Sequence, residues 1–194
     1  MISRCQWAGT DPVSIRYHDR EWGVPLHNDK KLFEFLILEG AQAGLSWITV
    51  LKKRDAYRKA FDGFDFNKVA QYGENKVRQL LTNAGIIRNE LKIRSAIRNA
   101  GAFIRVRDEF GTFNKYIWEF VGHKPITNKW KKLGQLPAKT ALSDQISQDL
   151  KKRGFNFVGS TIVYAHMQAT GMVNDHTTDC FRYNEIKKLL ATSN

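Results

Sequence analysis

The stretch Lys31-Leu32-Phe33-Glu34-Phe35-Leu36-Ile37-Leu38-Glu39-Gly40-Ala41-Gln42-Ala43-Gly44-Leu45-Ser46-Trp47 decides how this chain is read. Leu32, Phe33, Phe35, Leu36, Ile37 and Leu38 leave almost no polar face, so the pattern predicts a helix buried nearly all round. Glu39 closes that apolar run. A carboxylate in such a place loses water, and it either meets strong donors or has its pKa raised. Gly40, Ala41, Ala43 and Gly44 keep the following backbone slim enough for a flat ligand to approach. Ser46 is the expected N-cap of a second helix, with Trp47 just inside it. An acid beside a slim turn and a large aromatic suits a pocket for a planar polar ligand. The plainer alternative is that Glu39 accepts bonds from loop amides and Trp47 is core.

Outward from this stretch, the N-terminal run Ser14-Ile15-Arg16-Tyr17-His18-Asp19-Arg20-Glu21-Trp22-Gly23 mixes aromatic and polar groups beyond what helical periodicity explains. It is expected to be irregular with a short helix, and to line or pack on a site. Asp65 is placed to cap a short helix ending near Gly73, and Asn75 to cap the next. The tight connection over 82–89 leads into a helix from 90 to about 107, with Ile93, Ile97 and Ala100 on one face and Arg94, Arg98 and Arg105 on another. Free backbone amides at such a turn form a natural phosphate seat. Further helices are expected over 113–121, from the Ser143 cap to Gly154, from the Ser160 cap to Gly171, and over 182–190, with the last residues frayed. Residues 124–139 read as a basic loop. With no alternating segment of useful length and no repeat, the class is all-α.

The 194 residues fit one domain, or one domain with two lobes. No long uncharged apolar run and no signal-like N-terminus is present, so the expectation is a cytoplasmic protein without a membrane partner. The net charge of +12 favours a polyanionic partner, although lysine-rich helices are also ordinary solvated faces. The two cysteines, Cys5 and Cys180, make a poor case for a disulfide and a fair one for a metal. Together with His18 and His176 they offer two thiolates and two imidazoles from opposite ends of the chain. That set suits tetrahedral zinc, and four protein ligands would leave no open position. Such a metal would hold structure and fasten the two ends together.

The strings Tyr-His-Asp-Arg-Glu-Trp-Gly-Val-Pro from Tyr17, Glu-Gly-Ala-Gln-Ala-Gly-Leu-Ser-Trp from Glu39, Asn-Ala-Gly-Ile-Ile-Arg from Asn83, Lys-Lys-Arg-Gly-Phe-Asn-Phe-Val-Gly from Lys151 and Val-Asn-Asp-His from Val173 resemble the 3-methyladenine DNA glycosylase I family of bacteria. The likeness runs from about Cys5 to Cys180. It implies an all-α helix-hairpin-helix DNA glycosylase fold: a single catalytic domain over 1–194 with two helical lobes and the hairpin near 75–107. A zinc clamp would join 5–18 to 176–180. One structural zinc per chain would be held by Cys5, His18, His176 and Cys180. The base pocket would contain Tyr17, Glu39 and Trp47 with Trp22 nearby, and DNA would be met by the hairpin at Gly85, Ile86 and Arg88. The family pattern has a tyrosine where this chain has Ser14.

The implied activity is excision of N3-methyladenine from alkylated double-stranded DNA by a monomer, with free 3-methyladenine as product. Leu45 is expected to help fill the vacated stack. Helix 92–106 carries no acidic residue, which moves the catalytic burden onto Glu39. No lysine stands as a nucleophile, so base release without strand cleavage is expected. The competing expectation is a zinc-stabilised DNA-binding protein without chemistry. The closed ligand set argues against a small zinc hydrolase.

Overall fold

The computed structural model describes residues 2–191, with side chains through residue 189; the end expected to fray, 192–194, lies outside the described residues. Ten helices account for most of it: α1 (Pro12–Arg20), α2 (Asp29–Gln42), α3 (Trp47–Ala60), α4 (Phe66–Val69), α5 (Glu74–Thr82), α6 (Glu90–Phe110), α7 (Phe113–Glu119), α8 (Ala141–Lys152), α9 (Ser160–Ala169) and α10 (Phe181–Ala191). The all-α expectation needs one small correction. Ile126–Thr127 and Val173–Asn174 form a two-residue parallel pair, β1 and β2, too short to leave a periodic signature.

Helix α2 is the axis of the packing. It is buried continuously from Leu32 to Ala41 and touches α3, α6, α7 and α9. Burying each large apolar side chain contributes roughly 1.5–3 kcal/mol. Glu34, inside the apolar run, is also buried, and it is matched rather than stranded. Arg54 of α3 donates Nε to Glu34 at 2.6 Å and Nη1 to Glu21 at 2.6 Å, while Arg58 donates to Glu34 at 3.0 Å. This ion network fixes α3 against α2 and the end of α1.

Several helix starts differ from expectation, each for a local reason. Thr140, not Ser143, begins α8: Thr140 Oγ1 accepts from the Ser143 amide and Ser143 Oγ accepts from the Thr140 amide, a reciprocal cap that starts the helix earlier. Gly73, not Asn75, precedes α5, because the Asn75 side chain is taken by Arg78. Gly159 precedes α9, leaving Ser160 as its first residue. Asp65 caps α4 through Asn67 and Lys68, as expected. The segment expected to be mostly irregular is largely the helix α1, capped by Asp11 at the Val13 amide with Pro12 as its first residue. No helix among the described residues is long and apolar enough to cross a membrane.

Candidate functional site

A cleft of about 290 Å³ opens where α1, the end of α2, the start of α3 and α9 converge. The end of α2 supplies Glu39 and Gln42, and α3 supplies Trp47. Tyr17 comes from α1, Trp22 from the turn after it, and Trp7 from a short N-terminal 3-10 turn. Glu39 is only 3 % exposed. Burial alone pushes its carboxyl up to about 8, and no hydrogen bond from a described residue reaches it. Loop amides therefore do not satisfy this acid, and it faces a cleft. Burial, then the Glu39 charge, raises the Tyr17 hydroxyl well above its usual range. Trp7 and Trp47 each hold a buried indole N–H with no hydrogen-bond partner among the described residues. Tyr17 and Trp47 lie 5.5 Å apart by ring centroid, and Trp7 and Trp22 4.9 Å apart. Tyr17, Trp22, Glu39 and Trp47 thus share one cavity, whereas Ser14 is buried on α1 and does not line it.

Sequence reasoning missed the opposite wall. Leu133, Leu136 and Pro137 from the strap between β1 and α8 close one side, and Gln168 of α9 adds a polar group. Both depend on Asp175, which is 1 % exposed. Its Oδ1 accepts from Asn128 at 2.6 Å and Trp130 at 2.8 Å, and its Oδ2 accepts from Tyr164 at 2.6 Å and Gln168 at 2.8 Å. One carboxylate thereby ties the strap to α9. The only signal for this in the sequence was an acid inside the Val-Asn-Asp-His string.

Cys5, His18, His176 and Cys180 are all buried, and their donor atoms lie within 4.8 Å of one another. Cys5 Sγ is 3.4 Å from His176 Nδ1, and Cys180 Sγ is 3.4 Å from His18 Nε2 and 3.5 Å from His176 Nδ1. A tetrahedral ion bonded at about 2.3 Å to sulfur and 2.0–2.1 Å to nitrogen separates such atoms by roughly 3.5 Å. The other nitrogen of each imidazole is oriented from outside. His18 Nδ1 meets Asp19 Oδ1 at 2.8 Å, and Asp19 is itself held by Arg4. His176 Nε2 donates to the Trp22 carbonyl at 3.0 Å. Outer partners of this kind fix the tautomer that a ligating histidine needs. The neighbouring Cys5 thiol lowers the Cys180 pKa, and the neighbouring Cys180 together with burial raises that of Cys5. The donor set therefore fits a divalent metal with nitrogen and sulfur ligands. Gly23 belongs to this architecture, since at φ +79° a Cβ would stand 3.0 Å from His176 Nε2.

The connection between α5 and α6 is a tight turn, but four of its amides are not free as expected. Gly85 N donates to Asn83 Oδ1, Ile86 N to Asn83 O, Ile87 N to the Tyr57 hydroxyl and Asn89 N to Ile87 O. The Ile86 side chain is core at 2 % exposure, and Arg88 is exposed. Leu45 is 39 % exposed on the turn between α2 and α3, next to the cleft residues Gln42 and Trp47. Gln42 Nε2 donates to the Leu45 carbonyl at 3.1 Å.

Comparison with known proteins adds to this geometry. The methyladenine glycosylase family profile matches residues 7–183. The chain is similar to DNA-3-methyladenine glycosylase 1 of Escherichia coli (strain K12), 50% identical over 182 residues that cover 94% of this chain and 97% of that protein. It is also similar to a solved 3-methyladenine DNA glycosylase I at TM-score 0.89 and 49% identity, covering 92% of this chain and 98% of the other. A third likeness, TM-score 0.89 at 34% identity over 92% of this chain and 96% of the other, is to a 3-methyladenine DNA glycosylase I variant solved in complex with 3-methyladenine.

Proposed function

The chain belongs to the methyladenine glycosylase family, and from that premise we propose that it hydrolyses the N-glycosyl bond of N3-methyladenine in alkylated DNA, releasing the base without cutting the strand. The observation that carries this reading is the Glu39 carboxyl: buried, without a hydrogen bond from a described residue, and sharing a cleft with Trp7, Tyr17, Trp22 and Trp47. The likeness to a glycosylase bound to 3-methyladenine supports it.

A base inside duplex DNA must leave the stack before a cleft can hold it, and damaged bases leave it more readily. Leu45, exposed beside the mouth, would occupy the gap. N3-methylation puts a positive charge on the adenine ring of the nucleotide. Trp47 and Tyr17 would meet that cation with their faces, an attraction of about 0.5–2 kcal/mol. Glu39 responds to the same charge. Its pKa of about 8 keeps it protonated while the cleft is empty, and a cation within a few ångströms favours the carboxylate. The carboxylate then accepts from the amino edge of the base through charge-assisted bonds, which are about twice as strong as neutral ones. Neutral adenine cannot draw out that ionisation, so charge discriminates as well as shape. As the bond between the sugar C1′ and the base nitrogen breaks, its electron pair neutralises the departing base. Water adds to C1′ and gives its proton to solvent.

In the same reading α5, its turn and α6 form a helix-hairpin-helix, and the chain is one catalytic domain of two helical lobes. It acts as a monomer in the cytoplasm. Cys5, His18, His176 and Cys180 would hold one zinc ion, which supplies a structural crosslink and no activated water, since all four positions are filled by protein.

The test is chromatography of bases released from methylated duplex DNA. The parent protein is expected to release 3-methyladenine. Glu39→Ala is expected to be slower by roughly 10- to 100-fold, the loss of a hydrogen bond to a charged group worth about 1.5–3 kcal/mol. No released base from the parent, or full activity in Glu39→Ala, contradicts the proposal.

A further inference from the structure

The cleft has two rims of different chemistry. On one side lies the turn between α2 and α3 with Leu45, tied to the α5–α6 connection because Lys53 Nζ donates to the Ala84 carbonyl at 2.8 Å. On the other side lies the strap, residues 128–140, whose Leu133, Leu136 and Pro137 form the wall. This strap is also the basic loop that sequence analysis singled out. Lys129, Lys131 and Lys132 are exposed, directly precede the wall residues, and make no ion pair with a described residue. In contrast, the arginines of α3 and Arg94 on α6 are spent on carboxylates.

The strap is held in shape from beneath. Trp130 Nε1 reaches Asp175, the Trp130 carbonyl accepts from the Thr178 amide at 2.8 Å, and Gln135 Oε1 accepts from the Lys131 and Lys132 amides. Its lysines are therefore carried on a fixed backbone, directly before the cleft-lining Leu133. Resting on the glycosylase reading above, we propose that Lys129, Lys131 and Lys132 form a phosphate-binding rim for the DNA strand that flanks the extruded nucleotide. A nucleotide whose base occupies the cleft has its own phosphates at the mouth, within reach of a lysine on the adjoining lip. The opposing rim offers few amides for this task, since the α5–α6 turn has committed those of Gly85, Ile86, Ile87 and Asn89 internally. Three cations on the strap supply what that turn lacks.

Each phosphate neutralised by a lysine releases condensed counterions, so the slope of log affinity against log salt counts the contacts, at about 0.9 per phosphate on duplex DNA. The experiment uses the full chain and a duplex carrying a tetrahydrofuran abasic analogue, with affinity measured across salt concentrations. The triple variant Lys129→Gln, Lys131→Gln, Lys132→Gln is compared with a charge-matched variant, Lys30→Gln, Lys31→Gln, Lys115→Gln. Lys30 and Lys31 sit in the first turn of the 14-residue α2, about 12–14 Å along the helix axis from Glu39.

The strap variant is expected to have a slope shallower by about 2–3 units, while the comparison variant shifts by less than about one. Binding of free 3-methyladenine, followed by tryptophan fluorescence, should be the same in all three proteins. An unchanged slope in the strap variant, or an equal loss in both variants, overturns the rim while leaving the glycosylase reading intact. A parent protein that neither binds the duplex nor releases base overturns both.

Discussion

In the proposed mechanism Glu39 acts through its proton. A free glutamate titrates near 4.5, whereas burial holds this one at about 8. Between those values the unfolded chain has lost the proton and the folded chain has kept it, so folding binds a proton and stability falls as pH rises through the window. The contribution is fully present below about 4.5 and is gone above about 8. Glu39→Gln should flatten this slope, gaining on the parent by a few kcal/mol between pH 5 and pH 8 in denaturant unfolding. A variant whose stability tracks the parent at every pH would mean that the carboxyl is not held protonated. The residue was legible because an acid at the end of an apolar run has few ways to be satisfied. Gln168 was not legible, since its place in the cleft depends on Asp175, a partner seven residues away across a helix end.

Lys92 shows how one element is registered against another. From the first turn of α6 its Nζ donates to the carbonyls of Ala41 and Ala43 at 2.8 and 2.7 Å, which places a cation at the C-terminus of α2. Burial lowers its pKa. The contact runs from the α5–α6 hairpin to the turn that carries Leu45, and Lys53 makes the return contact from α3 to Ala84. At Gly85 a Cβ would stand 2.9 Å from that of Ala56, so α3 and the hairpin also touch directly. Lys92→Met keeps the aliphatic stem and removes the clamp. We expect about 1–3 kcal/mol lower stability and a loss of excision on duplex DNA larger than any loss of free-base binding. Equal effects on the two would place Lys92 in general folding rather than in positioning the turn. Most helices were readable from caps and periodicity, but this clamp was not: its partners are main-chain carbonyls some fifty positions away, which no local pattern records.

At the scale of the molecule, segments from near both ends of the chain meet behind the cleft. Cys5 and His18 bring the N-terminal segment to His176 and Cys180, and Trp22 touches both the cleft and His176, with rings 4.7 Å apart. If this set holds zinc, removing it with a chelator should lower the melting temperature and loosen the N-terminal wall before α2 unfolds, read as early hydrogen exchange at Trp7 and Trp22. Metal analysis should find one ion per chain, and Cys180→Ser should lose it. The four-residue cluster was legible because the sequence holds just two cysteines, with His176 four residues before Cys180 and His18 thirteen after Cys5. The strap wall was invisible because its structure comes from Asp175 and a two-residue strand pair, neither of which has a period. The proposed function rests on one arrangement, a buried carboxyl among aromatic rings set to receive a cationic base. The most direct measurement is a crystal structure of the protein with 3-methyladenine bound. The account predicts the base in the cleft between Trp47 and Tyr17, with its amino edge about 2.7–3.2 Å from Glu39; a base bound elsewhere, or in the cleft with Glu39 making no contact to it, would contradict it.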